Sequence, residues 1–370
     1  MSLSASERER YQRHLTLPEL GIAGQERLKA ARVVVIGAGG LGSPAALYLA
    51  AAGCGTLGLV DCDRVELSNL QRQLLFDAAA IGQSKAQAGA ARLAALNPEI
   101  RVVAHALQVS AANVAALLMD YDLVLDGSDR LATRYVVNDA CVIARKPLVS
   151  AAIHRFEGQL MCYVPDRGPC YRCMFPEVPD GTVGTCEQAG VLGVLPGVLG
   201  TLQATEAIKL ITGIGEPLVG RLLTYDALAM RFAEFRVARR NDCAVCGAQP
   251  SIRAPRDPPP PAGLRHLSAT ALDALLKDRS VAAPRLIDVR EPHEFNAGHL
   301  AGAVNIPLGQ LGGRLAEIAP AEAPVFICRS GGRSLAACQL ALAAGVPSPV
   351  NLEGGMRAWA AQVDPGVRVV

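Results

Sequence analysis

The chain has 370 residues, a formal net charge of +2 and 11 cysteines. That length accommodates two or three domains, the near-neutral charge gives no electrostatic case for nucleic acid or an anionic membrane, and cysteines this sparse exclude a disulfide scaffold. The opening residues, MSLSASERER, are rich in acid and lack an apolar core. Neither a secretory signal nor a transit peptide is expected there, and the reading is a soluble cytoplasmic protein of a reducing compartment.

Taken in chain order, residues 7–30 read as helical. Residues 33–60, VVVIGAGGLGSPAALYLAAAGCGTLGLV, carry no charge, and by length and polarity alone could pass for a membrane span. The crowded glycines argue otherwise: a strand (33–36), a glycine turn, an alanine-rich helix (41–52) and a second strand ending before Asp61. Strand-like runs recur at 100–104, 123–125 and 148–150, with helical patterns at 84–96 and 111–119 between them. This alternation predicts an α/β fold with a doubly wound, mainly parallel, Rossmann-like sheet, whose strands are apolar because helices cover both faces. Beyond 150, residues 158–164 and 221–227 read as added strands, and 190–212 as an apolar helix interrupted at Pro196.

The clearest boundary is RAPRDPPPPAG at 253–263, whose four consecutive prolines favour an extended spacer. It divides a first domain (1–252) from a second (264–370). In the second, strands at 285–289 and 325–327 flank another αβ pattern ending near Trp359, which predicts a smaller α/β domain.

Gly37, Gly39, Gly40 and Gly42 fit G-x-G-x-x-G, a turn that brings backbone N–H groups and a helix N-terminus to a phosphate. Asp61 is placed to bind a ribose hydroxyl. The pattern says nucleotide without saying which, and an NAD-dependent oxidoreductase is the plain alternative. Arg72 and Lys85 add cations near the phosphate end, and Asp129 adds a carboxylate after a predicted strand. A triphosphate that loses pyrophosphate needs such cations and a carboxylate for Mg²⁺, so together these residues favour ATP. Cys170, Cys173, Cys243 and Cys246 form two Cys-x-x-Cys pairs suited to a closed structural Zn²⁺ site, a redox pair being the alternative. Cys186 stands unpaired in a glycine-flanked loop. Cys54, Cys62, Cys141, Cys162 and Cys338 read as packing residues.

RVVVIGAGGLG, LVDCDRVELSNLQRQ, VLDGSD, CYRC, TCEQAGV and CAVC occur here in the order found in the MoeB/ThiF family, relatives of ubiquitin-activating enzymes, which residues 7–250 resemble. The resemblance implies ATP–Mg²⁺-dependent adenylylation of the C-terminal glycine of a ubiquitin-like sulfur carrier, MoaD- or ThiS-like, by a homodimer. It implies a nucleotide site of the glycine turn with Asp61, Asp63, Asn69, Arg72, Gln73, Lys85 and Asp129, the last on the metal. Arg13 would reach into the partner subunit's site, and Cys186 would be a candidate for covalent attachment of the carrier. Arg130 departs from the family, which often has Asn there.

In the second domain, Asp288, Arg290, Glu291 and His299 precede the loop Cys328-Arg329-Ser330-Gly331-Gly332-Arg333. A strand–loop–helix with two glycines can curl N–H groups around the sulfur, with Arg329 or Arg333 adding positive potential. Phosphate-ester hydrolysis and persulfide sulfur transfer both use that geometry. LIDVREPHEFNAGHLAGAVNIP, CRSGGRS and NLEGGMRAW resemble rhodanese sulfurtransferases, and the loop has their length, one residue shorter than in related phosphatases. The resemblance makes Cys328 the sulfur carrier, while Asp288, Arg290, Glu291 and His299 brace the fold. Together the domains resemble fused adenylyltransferase/sulfurtransferases of molybdenum cofactor synthesis and related pathways. The expected reaction joins adenylylation to persulfide transfer, giving a C-terminal thiocarboxylate, with a cysteine desulfurase or thiosulfate as sulfur donor. A rhodanese domain that only docks partners is the remaining alternative, and it needs no thiol.

Overall fold

The computed structural model describes residues 2–176, 190–257, 263–278, 280, 282–318 and 323–369. They form two compact units, which part at residue 257. No helix of the described residues is long and apolar enough to cross a membrane.

The first unit is built on an eight-stranded sheet. In chain order its strands are β1 (Arg32–Ile36), β2 (Thr56–Val60), β3 (Arg101–His105), β4 (Leu123–Asp126), β5 (Leu148–His154), β6 (Glu157–Tyr163), β7 (Arg221–Asp226) and β8 (Arg231–Arg236). Their order across the sheet is β3-β2-β1-β4-β5-β6-β7-β8. The first five are mutually parallel and the last three antiparallel. Alternate residues of the central strands feed two cores. Val33, Val35, Leu57, Leu59, Leu123 and Leu125 pack on one face with the helices Gly42–Ala51, Lys85–Leu96 and Val194–Thr212. Val34, Ile36, Val60 and Val124 pack on the other with Val114–Met119 and Leu131–Ile143. Burial on both faces is why residues 33–60 lack charge without spanning a membrane.

The chain winds outward from β1 through β2 to β3 and in the other direction from β4 to β5. The winding therefore reverses between β1 and β4, where doubly wound sheets open a ligand crevice at the strands' C-terminal ends. The glycine turn follows β1 and the Asp126-Gly127-Ser128-Asp129 run follows β4, so the fold sets both on one crevice. A Cβ on Gly37 would lie 3.0 Å from the Gly127 carbonyl oxygen.

Several expected elements differ. Residues 7–30 form three helices, Ala5–Arg10, Gln12–Leu15 and Gly21–Ala30, with Pro18 among the residues where the chain turns. The apolar helix begins at Val194, which puts Pro196 in its first turn, where the missing N–H would have had no partner anyway. Pro196 therefore interrupts nothing. Strand β8, RFAEFR, escapes the pattern because it is an edge strand exposed on both faces.

The second unit has a five-stranded parallel sheet of β9 (Arg265–Leu267), β10 (Leu286–Asp288), β11 (Val304–Asn305), β12 (Val325–Ile327) and β13 (Val350–Leu352), in the order β11-β10-β12-β13-β9. Ile287, Phe326 and Leu352 are fully buried in it. Cys328 directly follows central strand β12, and the helix Gly332–Ala343 begins four residues later.

Candidate active site

In the first unit the glycine turn is forced to be glycine by backbone contact. A Cβ on Gly42 would lie 1.8 Å from the Gly37 carbonyl oxygen, inside any permitted contact. Asp61 ties the turn to the end of β2, its Oδ2 accepting from the Ala38 N–H at 2.9 Å and its Oδ1 from the Asp63 N–H at 2.9 Å. Burial pushes its carboxyl above the usual range against the pull of Lys85. Lys85 starts its helix with the ammonium buried and 3.2 Å from Asp63 Oδ2. The segment carrying Asn69, Arg72 and Gln73 folds over the turn. Asn69 Oδ1 accepts from the Glu66 N–H at 3.1 Å, and Arg72 donates to the Ser68 carbonyl at 3.0 Å. A Cβ on Gly40 would meet Pro196 at 3.0 Å and Arg72 at 3.7 Å, and one on Gly39 would meet Gln73 Nε2 at 3.7 Å. Gln73 Oε1 is buried with no hydrogen-bond partner among the described residues.

Asp129 is exposed at the mouth of the crevice, and Arg130 is exposed beside it at the start of the helix Leu131–Ile143. The loop that presents Asp129 is held by two residues the sequence reading missed. Asp126 is buried and takes the Ser128 N–H at 3.0 Å and the Ser128 hydroxyl at 2.7 Å. Arg134 is buried too, donating to the Ser128 and Ala151 carbonyls. Spacing gave no sign of Arg134, because its partners are backbone carbonyls, which any residue type supplies. Arg13 is exposed on the helix Gln12–Leu15. Cys186 lies outside the described residues. Cys62 is a correction: it is exposed, because it sits in the loop after β2 rather than on a core element. Desolvation and the carboxylates of Asp63 and Asp61 push its thiol up to about 11, so it is no thiolate at neutral pH.

The four paired cysteines converge. Cys170 and Cys243 sulfurs are 3.6 Å apart, Cys173 and Cys246 3.4 Å, and Cys170 and Cys173 4.0 Å. A tetrahedron of thiolates around Zn²⁺ at the usual Zn–S length has edges of about 3.8 Å, close to these separations, so the donor set fits that ion. All four are buried, and the Arg240 N–H donates to Cys173 Sγ at 3.4 Å. Beside them Arg172 forms a buried two-point ion pair with Asp139, at 2.7 and 2.8 Å.

In the second unit Cys328 is buried, and its sulfur accepts from the Gly331 N–H at 3.1 Å and lies 3.2 Å from the Ser334 hydroxyl. The loop closes against Gly355, where a Cβ would fall 2.2 Å from the Cys328 carbonyl oxygen at a positive φ of 57°. Arg333 differs from expectation, since both its Nη atoms bond the Glu294 carboxylate, which neutralises much of the charge it would lend the sulfur. The bracing residues act as expected. Arg290 pairs with Asp288 and donates to the Gly298 carbonyl, and Glu291 caps the helix Pro292–Ala297. His299 bonds the Phe295 carbonyl and stacks on its ring. Cys338 is buried, and desolvation and Cys328 raise its thiol.

The glycine turn thus lies at the switch point of a doubly wound sheet, in a unit that also carries buried Lys85 and a four-cysteine cluster. Residues 11–245 match the ThiF family and residues 268–362 the Rhodanese-like domain. The chain belongs to the ThiF family and carries a rhodanese-like domain. It is 44% identical to the probable adenylyltransferase/sulfurtransferase MoeZ of Mycobacterium tuberculosis, over 98% of this chain and 95% of that one. It is 49% identical to the sulfur carrier protein adenylyltransferase of Thermus thermophilus, over 68% of this chain and 96% of that one. Among solved structures, E. coli MccB with ATP matches with a TM-score of 0.57 and 25% identity, covering 66% of this chain and 75% of that one. These likenesses favour neither an oxidoreductase nor a docking scaffold.

Proposed function

We propose that the first unit adenylylates the C-terminal glycine of a ubiquitin-like sulfur carrier and that Cys328 then delivers sulfur to it. The observation that carries the reading is Cys328 itself, an intact thiol inside a cradle of N–H and O–H donors, on a chain whose other unit carries a glycine turn at the switch point of its sheet. A docking domain has no need of that thiol.

In this reading the glycine turn receives the ATP phosphates, Arg72 and Lys85 offset the charge of the departing pyrophosphate, and exposed Asp129 holds Mg²⁺. The carrier's carboxylate attacks the α-phosphate and the bond to pyrophosphate breaks. Catalysis is positioning and charge neutralisation, as usual for transfer at phosphorus. The Cys328 thiolate attacks the outer sulfur of thiosulfate or of a cysteine desulfurase persulfide, the donor's S–S bond breaks with release of sulfite or the desulfurase thiolate, and a persulfide forms on Cys328. Its terminal sulfur attacks the activated carbonyl, AMP leaves, and an acyl disulfide forms. A second thiol, Cys186 being the internal candidate, attacks the Cys328 sulfur and releases the thiocarboxylate. An external thiol then reduces the resulting disulfide. Arg13 serves the partner's crevice in a homodimer, and the four cysteines hold a structural Zn²⁺.

The test is carrier-dependent ATP–pyrophosphate exchange, followed by mass measurement of the carrier after incubation with ATP, thiosulfate and reductant. The expected product is heavier than the carrier by the difference between sulfur and oxygen. Exchange without any mass change in wild type, or an unchanged yield in Cys328→Ser, would overturn the sulfur-transfer half.

A further inference from the structure

Behind Cys328 a line of polar side chains runs from the buried sulfur to the surface. Ser334 Oγ lies 3.2 Å from Cys328 Sγ, 3.1 Å from the Gly331 carbonyl oxygen and 2.6 Å from Asn351 Oδ1. Asn351 Nδ2 lies 3.4 Å from His266 Nδ1, which is 3.5 Å from Glu353 Oε1. Ser334 and Asn351 are buried, whereas the His266 side chain is 34% exposed. Sheet register builds the line. Asn351 on β13 is the direct partner of Phe326 on β12, two residues before Cys328, and of His266 on β9.

The hydroxyl of Ser334 has one proton and three acceptors within reach. The two ends of the Asn351 amide are alike in shape, so the amide can present either to Ser334. With nitrogen toward Ser334, the amide donates to Oγ and the hydroxyl proton is left to the sulfur and the Gly331 carbonyl, of which the sulfur anion is the stronger acceptor. The amide oxygen then faces His266 Nδ1, which donates to it in the ring tautomer that carries the hydrogen there. With the amide reversed, the hydroxyl proton goes to Asn351 and the sulfur keeps only the Gly331 N–H.

We propose that Asn351 and His266 are positioning residues for sulfur transfer, aiming the Ser334 hydroxyl at Cys328 so that the sulfur anion has two donors. The proposal rests on Cys328 being the sulfur carrier. Hydrogen bonds to an anion favour the charged form, so the line stabilises the thiolate that accepts sulfur. The other charged or titratable groups around the loop are Arg329, Arg333 with its partner Glu294, and Cys338, and the test leaves all of them in place.

The experiment measures the rate at which iodoacetamide alkylates Cys328 in the full chain against pH, read by mass on the Cys328 peptide. Ser334→Ala, Asn351→Leu and His266→Phe are each expected to move the profile to higher pH and slow the reaction at neutral pH about threefold or more. If buried Asn351→Leu does not fold, His266→Phe at the partly exposed end decides. A purely structural role would lower the melting temperature and leave the profile in place. An unchanged profile in folded Asn351→Leu or in His266→Phe, with Ser334→Ala shifted, overturns the relay, and so does an unshifted Ser334→Ala. Loading wild type with thiosulfate tests the underlying reading separately. Absence of a persulfide on Cys328 refutes the carrier role, while the alkylation profiles still report whether the line of side chains acts on the sulfur.

Discussion

Glu294 holds Arg333 through two hydrogen bonds, Nη1 to Oε2 at 2.6 Å and Nη2 to Oε1 at 2.7 Å. The contact ties the end of the sulfur loop to the helix Pro292–Ala297, and it leaves the glycine-loop N–H and Ser334 as the donors nearest Cys328. Both side chains are largely buried, at 14% and 10% exposure, so removing the carboxylate strands a guanidinium.

Glu294→Gln should destabilise the second unit by about 3 kcal/mol, the cost of breaking a mostly buried pair on one side. The pH dependence has a definite sign. Burial works to raise the Glu294 carboxyl, but hydrogen bonds from Arg333 and the Glu291 N–H prevail and hold it below its ordinary value. A carboxyl depressed in the folded state stabilises above the unfolded carboxylate range, and the effect is lost as pH falls through the depressed value. Thermal melts of the full chain from neutral pH to pH ~3.5 should show this acid-labile component in wild type and not in Glu294→Gln. Parallel curves for the two proteins would contradict it.

Arg72→Ala and Asp129→Ala should abolish most ATP–pyrophosphate exchange while leaving thermal stability nearly unchanged. Arg72 donates to the Ser68 carbonyl and Asp129 is exposed, so neither holds the fold together. Asp61→Ala should do more. It strands the Ala38 N–H, worth about 1–3 kcal/mol when left unsatisfied, whereas the exposed Asp63 N–H turns to water, and it should lower both nucleotide affinity and melting temperature. Calorimetric titration with ATP separates the two behaviours. Full exchange activity in Arg72→Ala and Asp129→Ala would remove both from the site.

Much of this was legible in the sequence because the physics is local there. Val33–Ile36 must be buried wherever it lies, and Gly42 can be nothing else once the turn follows β1. Asp61 was readable for the same reason, as the first charge after a buried strand. Asn351 was not, since it acts through partners that only the sheet order brings near, and Arg134 was not, since it donates to backbone carbonyls that carry no side-chain signature. Arg333 shows the complementary limit: a cation beside a thiol in sequence was expected to serve it, but Glu294, 39 residues away in the chain, takes it in space. Strand β8 escaped because an edge strand exposed on both faces carries no period-two signal.

Asp139→Asn and Arg172→Met each remove one side of a fully desolvated pair, with side chains 0% and 6% exposed. Each should destabilise the first unit by about 3–5 kcal/mol, and the double change should cost less than the sum, because the penalty of either single change is the partner left charged and buried. The Arg172 guanidinium also lies 4.5 Å from the Tyr135 ring centre, so Arg172→Met loses a cation–π contact as well and should be the costlier of the two. Urea unfolding of the four proteins measures this, and strict additivity would sink the account.

The four-cysteine cluster makes the strongest demand on the fold's end. Cys170 and Cys173 precede the segment leading to the helix Val194–Thr212, and Cys243 and Cys246 lie beyond β8, so an ion there closes a loop of more than seventy residues. Freshly purified protein should hold about one zinc per chain, and Cys243→Ser should hold less than half of that, since three thiolates leave a coordination position open. Because ligand binding to the folded state is folding free energy, a strong chelator should lower the first unit's melting temperature, and added Zn²⁺ should restore it. Chelation that strips the metal without moving the melting transition would mean that the sulfurs, all within 4.8 Å of one another, are held together by the apolar packing around them and not by an ion.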